Sequence, residues 1–461
     1  MTFQNLIPAA ARRLMSLSSR QFRYEMTTNV WIICLFYGAI GAILTAIAYW
    51  LDMVMIMGEE ARFLVADYDL TSQIMSGLIA GIITLNAFTL NSILVVLTNV
   101  SGQFTPRILT TFISDRHTQH ALGIFNLVFV FILFSFFLLD EQTASYYFAF
   151  PTLATLAMFI ALATFIFFIN HAVKWMQASN LTYNMKEESQ QRILTTLGKD
   201  LEPYRTYEPN QDVEINEKDG HVLYARHSGY IQIVDFKRLV HYAENHDLII
   251  RIERRVGEYI LAGIPLLTYW KNGRDEKSIH EGFMLKKVFI GSKQTEMQDI
   301  EFGINKLEEI AIKSIGNDDP NTATNAIIHL SDLLLSISQI THFTPYLTDT
   351  HDDLRVIIKE ESFEYYLYSS FSHISIYAKD DPVLTNEILQ ALSLLTQTIG
   401  PANHQSLWEF AQAVARGYRA PFAFAYNEHR FYTSLQDISE TTGHHEEFED
   451  FKNELRERLT I

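Results

Sequence analysis

Cysteine is almost absent from this 461-residue chain: Cys34 stands alone, inside an apolar run. A disulfide framework within the chain is therefore excluded, and Cys34 reads as a small apolar filler in a helix. Ionisable side chains are missing over one long stretch, with no Asp, Glu, Lys or Arg between Asp69 and Arg107. Positive charge is in short supply, 36 Lys and Arg against 53 Asp and Glu, for a formal net charge of −17. Nucleic acid is thereby disfavoured as a partner, because phosphate binding needs a basic face. The chain has no Gly-rich phosphate loop of the Walker or dinucleotide type, no His-Glu-x-x-His and no nucleophile elbow. No residue is assigned a catalytic role, and no cofactor is expected.

The mean hydropathy of +0.04 hides a division. Residues 1–174 hold eight basic and nine acidic side chains, so nearly all of the acidic excess falls on residues 175–461. A single soluble domain is excluded. Four runs are apolar enough to span a bilayer, which takes about 20 helical residues. They cover about 30–51, 74–99, 122–139 and 150–169, inside a transmembrane domain of residues 30–171. Trp31, Tyr49 and Trp50 flank the first run, as suits water–lipid interfaces. The first run is too long for a signal peptide, and three more follow it.

The short flanks orient the chain. Arg12, Arg13, Arg20 and Arg23 precede the first span, Arg107 and Arg116 follow the second, and Lys174 follows the fourth. The intervening loops are acidic, with Arg62 the lone exception. Both termini are expected in the cytoplasm, in a cell (inner) membrane. Residues 1–29 are a basic flank, and residues 8–24 read equally as a plain topogenic flank or an amphipathic surface helix.

The second span is unusual. Gly77 and Gly81 form a small-xxx-small pair. Gly77, Thr84, Asn91 and Thr98 recur every seventh residue and so lie close to one helix face. That face is either a packing seam or the lining of a hydrated path. No charged side chain lies within the four spans, which weakens proton-pump and voltage-sensor readings.

After the second span the chain reads Ser101-Gly-Gln103-Phe-Thr105-Pro106-Arg107-Ile-Leu109, then Asp115-Arg116, Gln119 and Leu122-Gly123. Phe168-Ile-Asn-His171 closes the fourth span. Gly229-Tyr-Ile-Gln232 with Asp235, Gly257-Glu-Tyr-Ile260 with Gly263-Ile-Pro265, Thr295 with Gln298-Asp299, and Asp319-Pro320 with Thr322 follow in order. This succession resembles the bacterial membrane-protein family called domain of unknown function 2254. The resemblance implies four spans and a long soluble tail, and attaches no activity to them. Two departures stand out: Lys293 where the family often has Arg, and a shortened turn at Gly316–Pro320.

Residues 172–220 read as a helical extension of the fourth span, over 172–200, and a linker. Residues 221–292 alternate with period two in places, as in Leu248-Ile-Ile-Arg-Ile-Glu253, and predict a small β barrel- or sandwich-like module. Residues 293–461 predict an α-helical domain, with helices over 354–378, 381–399, 405–424 and 434–459. Asn317-Asp-Asp319, the Asp349/His351/Asp352/Asp353 loop and His444-His-Glu-Glu447 carry metal-ligating side chains. Helix capping or solvated loops explain each, so no metal site is assigned. His117, His120 and His171 gather near one membrane surface, as interfacial hydrogen-bonding groups or as a pH-responsive set.

The expected architecture is a multi-pass α-helical membrane protein with a cytoplasmic α+β region. The lipid bilayer is its first partner, and a homo-oligomer is expected because four spans enclose little space. The favoured function is channel- or transporter-like. The alternative is a membrane-anchored scaffold or sensor whose acidic soluble domain binds a cytoplasmic protein.

Overall fold

A computed structural model describes residues 29–55, 65–103, 112–141, 146–209, 217–271, 278–359 and 362–459. The basic flank and Thr105, Pro106 and Arg107 of the signature loop lie outside the described residues. The chain forms two compact units, Met1–Ala178 and Ser179–Ile461.

The first unit holds four long helices: α1 (Val30–Met55), α2 (Tyr68–Gln103), α3 (Arg116–Phe137) and α4 (Ala149–Trp175). All four are long and apolar enough to cross a membrane. A helix is the form that satisfies its own backbone in lipid, which is why such runs fold this way. The 36 residues of α2 reach about 54 Å, well beyond the ~30 Å hydrocarbon core.

The tightest helix crossing is between α1 and α3. A Cβ on Gly41 would lie 2.6 Å from the Leu127 carbonyl oxygen, and one on Gly38 3.0 Å from Asn126 Nδ2. From the other side, a Cβ on Gly123 would lie 2.5 Å from the Tyr37 ring. Backbones this close permit polar ties: Asn126 Nδ2 donates to the Cys34 carbonyl at 2.6 Å. The Thr45 hydroxyl faces the carbonyls of Gly41 and Phe131 at 3.0 and 3.3 Å. Within this unit the Gly77/Gly81 pair of α2 does not serve one shared contact. Gly81 packs on Met158 of α4, whereas Gly77 has open space where its Cβ would be.

The other end of the bundle is fastened by Asp52, on the last turn of α1. Its Oδ1 accepts from the backbone N–H of Phe148 and Ala149 at 2.8 and 2.6 Å, and its Oδ2 from Phe150 at 3.1 Å. A carboxyl group from one span thus caps the N-terminus of another, supplying acceptors that α4 lacks in its own chain. Strands β1 (Ala66–Asp67) and β2 (Tyr146–Tyr147) pair antiparallel and join two connections.

In the second unit, α5 (Ala178–Thr195) runs into a π turn at Thr196–Leu201. The helix expected to continue the fourth span through residue 200 is interrupted at Met176 and Gln177. The strands are β3 (His221–Tyr224), β4 (Gly229–Val234), β5 (Leu248–Ile252), β6 (Tyr259–Ile260), β7 (Pro265–Lys271), β8 (Val288–Gly291), β9 (Tyr346–Thr348) and β10 (Leu354–Ile357). They form a five-stranded sheet, β3-β7-β5-β10-β9, and a three-stranded sheet, β6-β4-β8. No barrel closes among the described residues, so the barrel-like expectation is corrected to two open sheets.

Helix α6 (Phe236–His246) starts on Asp235 and ends on Asp247, whose φ of 47° turns the chain into β5. Strand β10 then pairs parallel with β5, Val356 opposite Ile250. The helix expected over 354–378 is therefore a strand followed by α10 (Phe363–Tyr377). The buried Leu354 and Val356 fit a sheet interior, and β-branched residues favour it.

The remaining helices are α7 (Glu281–Leu285), α8 (Ile300–Gly316), α9 (Pro320–Ile340), α11 (Pro382–Thr398), α12 (His404–Gly417), α13 (Ala425–Thr442) and α14 (His445–Leu459). Asp299, Asp319 and Asp381 cap α8, α9 and α11 through their side chains, with Pro next in the latter two. Gly443, with φ 80°, splits the expected 434–459 helix into α13 and α14.

Candidate functional site

Two features of the first unit carry chemistry. The first is the outer face of α2. Gly77, Thr84, Asn91 and Thr98 are all exposed on the unit, so their face points away from the other three helices. The Thr84 hydroxyl donates to the Ala80 carbonyl at 2.8 Å, and Thr98 bonds the Leu94 carbonyl in the same way. These threonines are satisfied within their own helix. Asn91 has no hydrogen-bond partner among the described residues. By contrast, the exposed positions of α1 include Trp31, Leu35, Phe36, Ile43 and Ile47, as lipid contact demands.

The second feature lies at the end of the bundle where α3 begins and α4 finishes. Asp115 is the N-cap of α3, and its Oδ2 accepts from the backbone N–H of His117 and Thr118 at 3.0 and 3.1 Å. The same oxygen lies 2.8 Å from His171 Nε2, so the cap of one span is tied to the last turns of another. His117 Nδ1 stands 3.7 Å from that oxygen, and its ring centroid 5.1 Å from that of His171. Phe167 stacks against His171, and Trp175 meets it edge-on. Beside them opens an apolar pocket of 350 Å³, lined by His117, His120, Ile124, Ile160, Thr164 and Phe167. His120 Nδ1 is hydrogen-bonded to the Tyr37 hydroxyl at 2.9 Å.

The other signature residues of this unit pack. Gln119 is 1% exposed, and its Nε2 has no hydrogen-bond partner among the described residues. Gly123 admits the Tyr37 ring. Gln103 is the final residue of α2.

In the second unit the signature residues build one junction between sheet and helix. Gln298 is buried and closes both hydrogen bonds with Val234, accepting its N–H at 2.7 Å and donating to its carbonyl at 3.1 Å. The side chain thus acts as an extra strand residue beside β4. Asp299 caps α8 and also accepts from Gln294 Nε2 at 2.7 Å. Gly257 has φ 92°, and a Cβ there would collide with the Asp299 carboxyl. A Cβ on Gly229 would lie 2.5 Å from the Gly291 carbonyl. Gly263, with φ 85°, stands in the turn before Pro265, the first residue of β7. Asp235 and Asp319 cap helices, Thr322 N–H donates to Asp319, and Thr295 is buried. These roles are structural.

The acidic loop at Asp349 is occupied by a guanidinium. Arg355 Nε donates to Asp349 Oδ2 at 2.6 Å, and its other nitrogens reach Asp247 and Asp353. A fixed cation there opposes a metal ion. His444 stacks on Trp408, and Glu447 accepts from Trp408 Nε1, so that histidine–acid run serves packing. Sequence reasoning missed Asp52. The signal available was a lone acid directly after an apolar run.

A bundle of four lipid-length helices followed by a separate mixed unit defines an integral membrane protein of the four-span class. The chain belongs to the family described as predicted membrane protein, domain of unknown function 2254, whose model matches residues 27–393. Curated relatives include uncharacterized proteins of Mycobacterium tuberculosis and Mycobacterium bovis, each 27% identical over 337 residues. The alignment covers 70% of this chain and 63% of the length of those relatives. No solved structure matches the chain.

Proposed function

We propose that the protein assembles through the outer face of α2 into a homo-oligomer with channel- or transporter-like activity, controlled by its soluble unit. In this reading both termini are cytoplasmic, as the basic flanks favour. The observation that carries the reading is Asn91. An amide without a partner in hydrocarbon costs several kcal/mol. Phe88, Leu94 and Val95 flank Asn91, but the turns that precede it on the same face carry small residues, Gly77, Ala80, Thr84 and Ala87, which let a second backbone approach closely. Symmetric association would pair Asn91 with its copies or with water held between them. Self-bonded threonines on the same face tolerate either environment.

The test is the full-length protein in nanodiscs and in liposomes. Oligomeric state is read by native mass spectrometry, and ion or solute flux is measured on reconstitution. The wild type is expected to be oligomeric and to pass solute above the empty-liposome background. Replacing Thr84 and Asn91 by Leu is expected to abolish flux. A monomer with background flux overturns the proposal, as does undiminished flux in the double variant.

A further inference from the structure

We propose that Asp115, His117 and His171 form a binding site for one divalent transition-metal ion of the Zn²⁺ class, clamping α3 to α4. Two imidazoles and a carboxylate are the donor set such ions prefer. The three donor atoms all lie within 4.8 Å of one another. A tetrahedral ion with bonds of about 2.0–2.1 Å sets its ligands roughly 3.3 Å apart. The observed separations from Asp115 Oδ2, 2.8 Å to His171 Nε2 and 3.7 Å to His117 Nδ1, straddle that value. Shifts of about half an ångström at these two separations, with the two imidazole nitrogens drawn together from within 4.8 Å, would bring the set to bonding geometry.

Two further observations point the same way. Asp115 is held by two backbone N–H groups, the kind of outer-shell support that fixes a ligating carboxylate. The His117 side chain is largely exposed, so a fourth, exchangeable ligand can reach the ion from that side. The aromatic rings of Phe167 and Trp175 shield His171. A site with three protein ligands and one open position follows, in contrast to a closed structural centre.

His117 separates a metal site from a simple interhelical hydrogen bond. Its ring is 61% exposed and is not needed for the Asp115–His171 contact. Full-length protein, purified without a histidine tag and stripped with chelator, is titrated with Co²⁺ and then Zn²⁺. The proposal expects one ion per chain, with the strong visible absorption of four-coordinate Co²⁺, displaced by Zn²⁺. His117→Ala is expected to weaken binding by about 100-fold or more. The apo proteins should melt at the same temperature, and only the wild type should be stabilised by Zn²⁺. His329→Ala, which alters a histidine far along the chain, should bind as the wild type does. A titration without the four-coordinate spectrum overturns the proposal. So does equal binding by wild type and His117→Ala, the signature of adventitious surface histidines.

Discussion

Replacing Asp52 by Ala removes three backbone hydrogen bonds at the start of α4. Phe148 is half-buried, and its N–H can regain water. Ala149 and Phe150 are 1% and 0% exposed, so their N–H groups are left without an acceptor. Each buried donor left unpaired costs about 1–3 kcal/mol, and loss of a cap by itself about 0.5–2 kcal/mol. Allowing for local relaxation, the variant should lose about 3 kcal/mol, or roughly a hundredfold in the unfolding equilibrium. Asp52→Asn keeps one side-chain oxygen that can accept, and should lose about 1 kcal/mol. Unfolding in mixed micelles, titrated with a denaturing detergent, measures both. If Asp52→Ala lies within about 0.5 kcal/mol of the wild type, the carboxyl is not the fastener described above.

Other perturbations test other parts of the fold. Gly41→Leu should be worse than Gly77→Leu in the same assay. The first drives a side chain into the Leu127 backbone, costing about 1–3 kcal/mol, whereas the second meets open space within the unit and would disturb only the proposed association of copies. In the second unit, burial pushes the Asp349 carboxyl up, but Arg355 and the N–H groups of His351 and Asp353 outweigh it, so its pKa lies below the ordinary value. A depressed acid contributes stability that is present above the unfolded pKa of about 3.9 and is lost as pH falls through the folded value. Acidification below about pH 4 should therefore lower the hydrogen-exchange protection of β10, taken relative to the intrinsic amide rate at each pH. Asp349→Asn should remove that acid-dependent component, and should cost about 2 kcal/mol near neutrality through the weakened tie to Arg355.

Some elements were legible because their signals are local. Length and apolarity marked the four spans, and α1 and α4 begin at Val30 and Ala149, each within a residue of the expected position. Capping was one of the two readings of Asp319 in the sequence, since an Asx side chain followed by the fixed φ of Pro320 acts within one turn, and Asp319 does cap α9. The parallel pairing of β10 with β5 could not be read, since it joins residues about a hundred positions apart. Leu354–Ile357 is short and apolar, and periodicity does not separate such a run from a helix. The Gly38/Gly41 crossing was overlooked because glycines in an apolar run do not say which partner comes close.

By itself, then, the sequence determined the class of protein: four membrane-length helices, an acidic unit that must face water, and the caps of several helices. Those properties follow from transfer free energies and from hydrogen bonds within a few residues. Only the tertiary structure decided which faces meet. It turned Gly81 inward and Asn91 outward on one helix, joined Asp52 to a helix start nearly a hundred residues away, and brought Asp115 to His171. Each of these is a contact between segments far apart in the chain. Its free energy depends on how whole helices pack, and no local pattern encodes that.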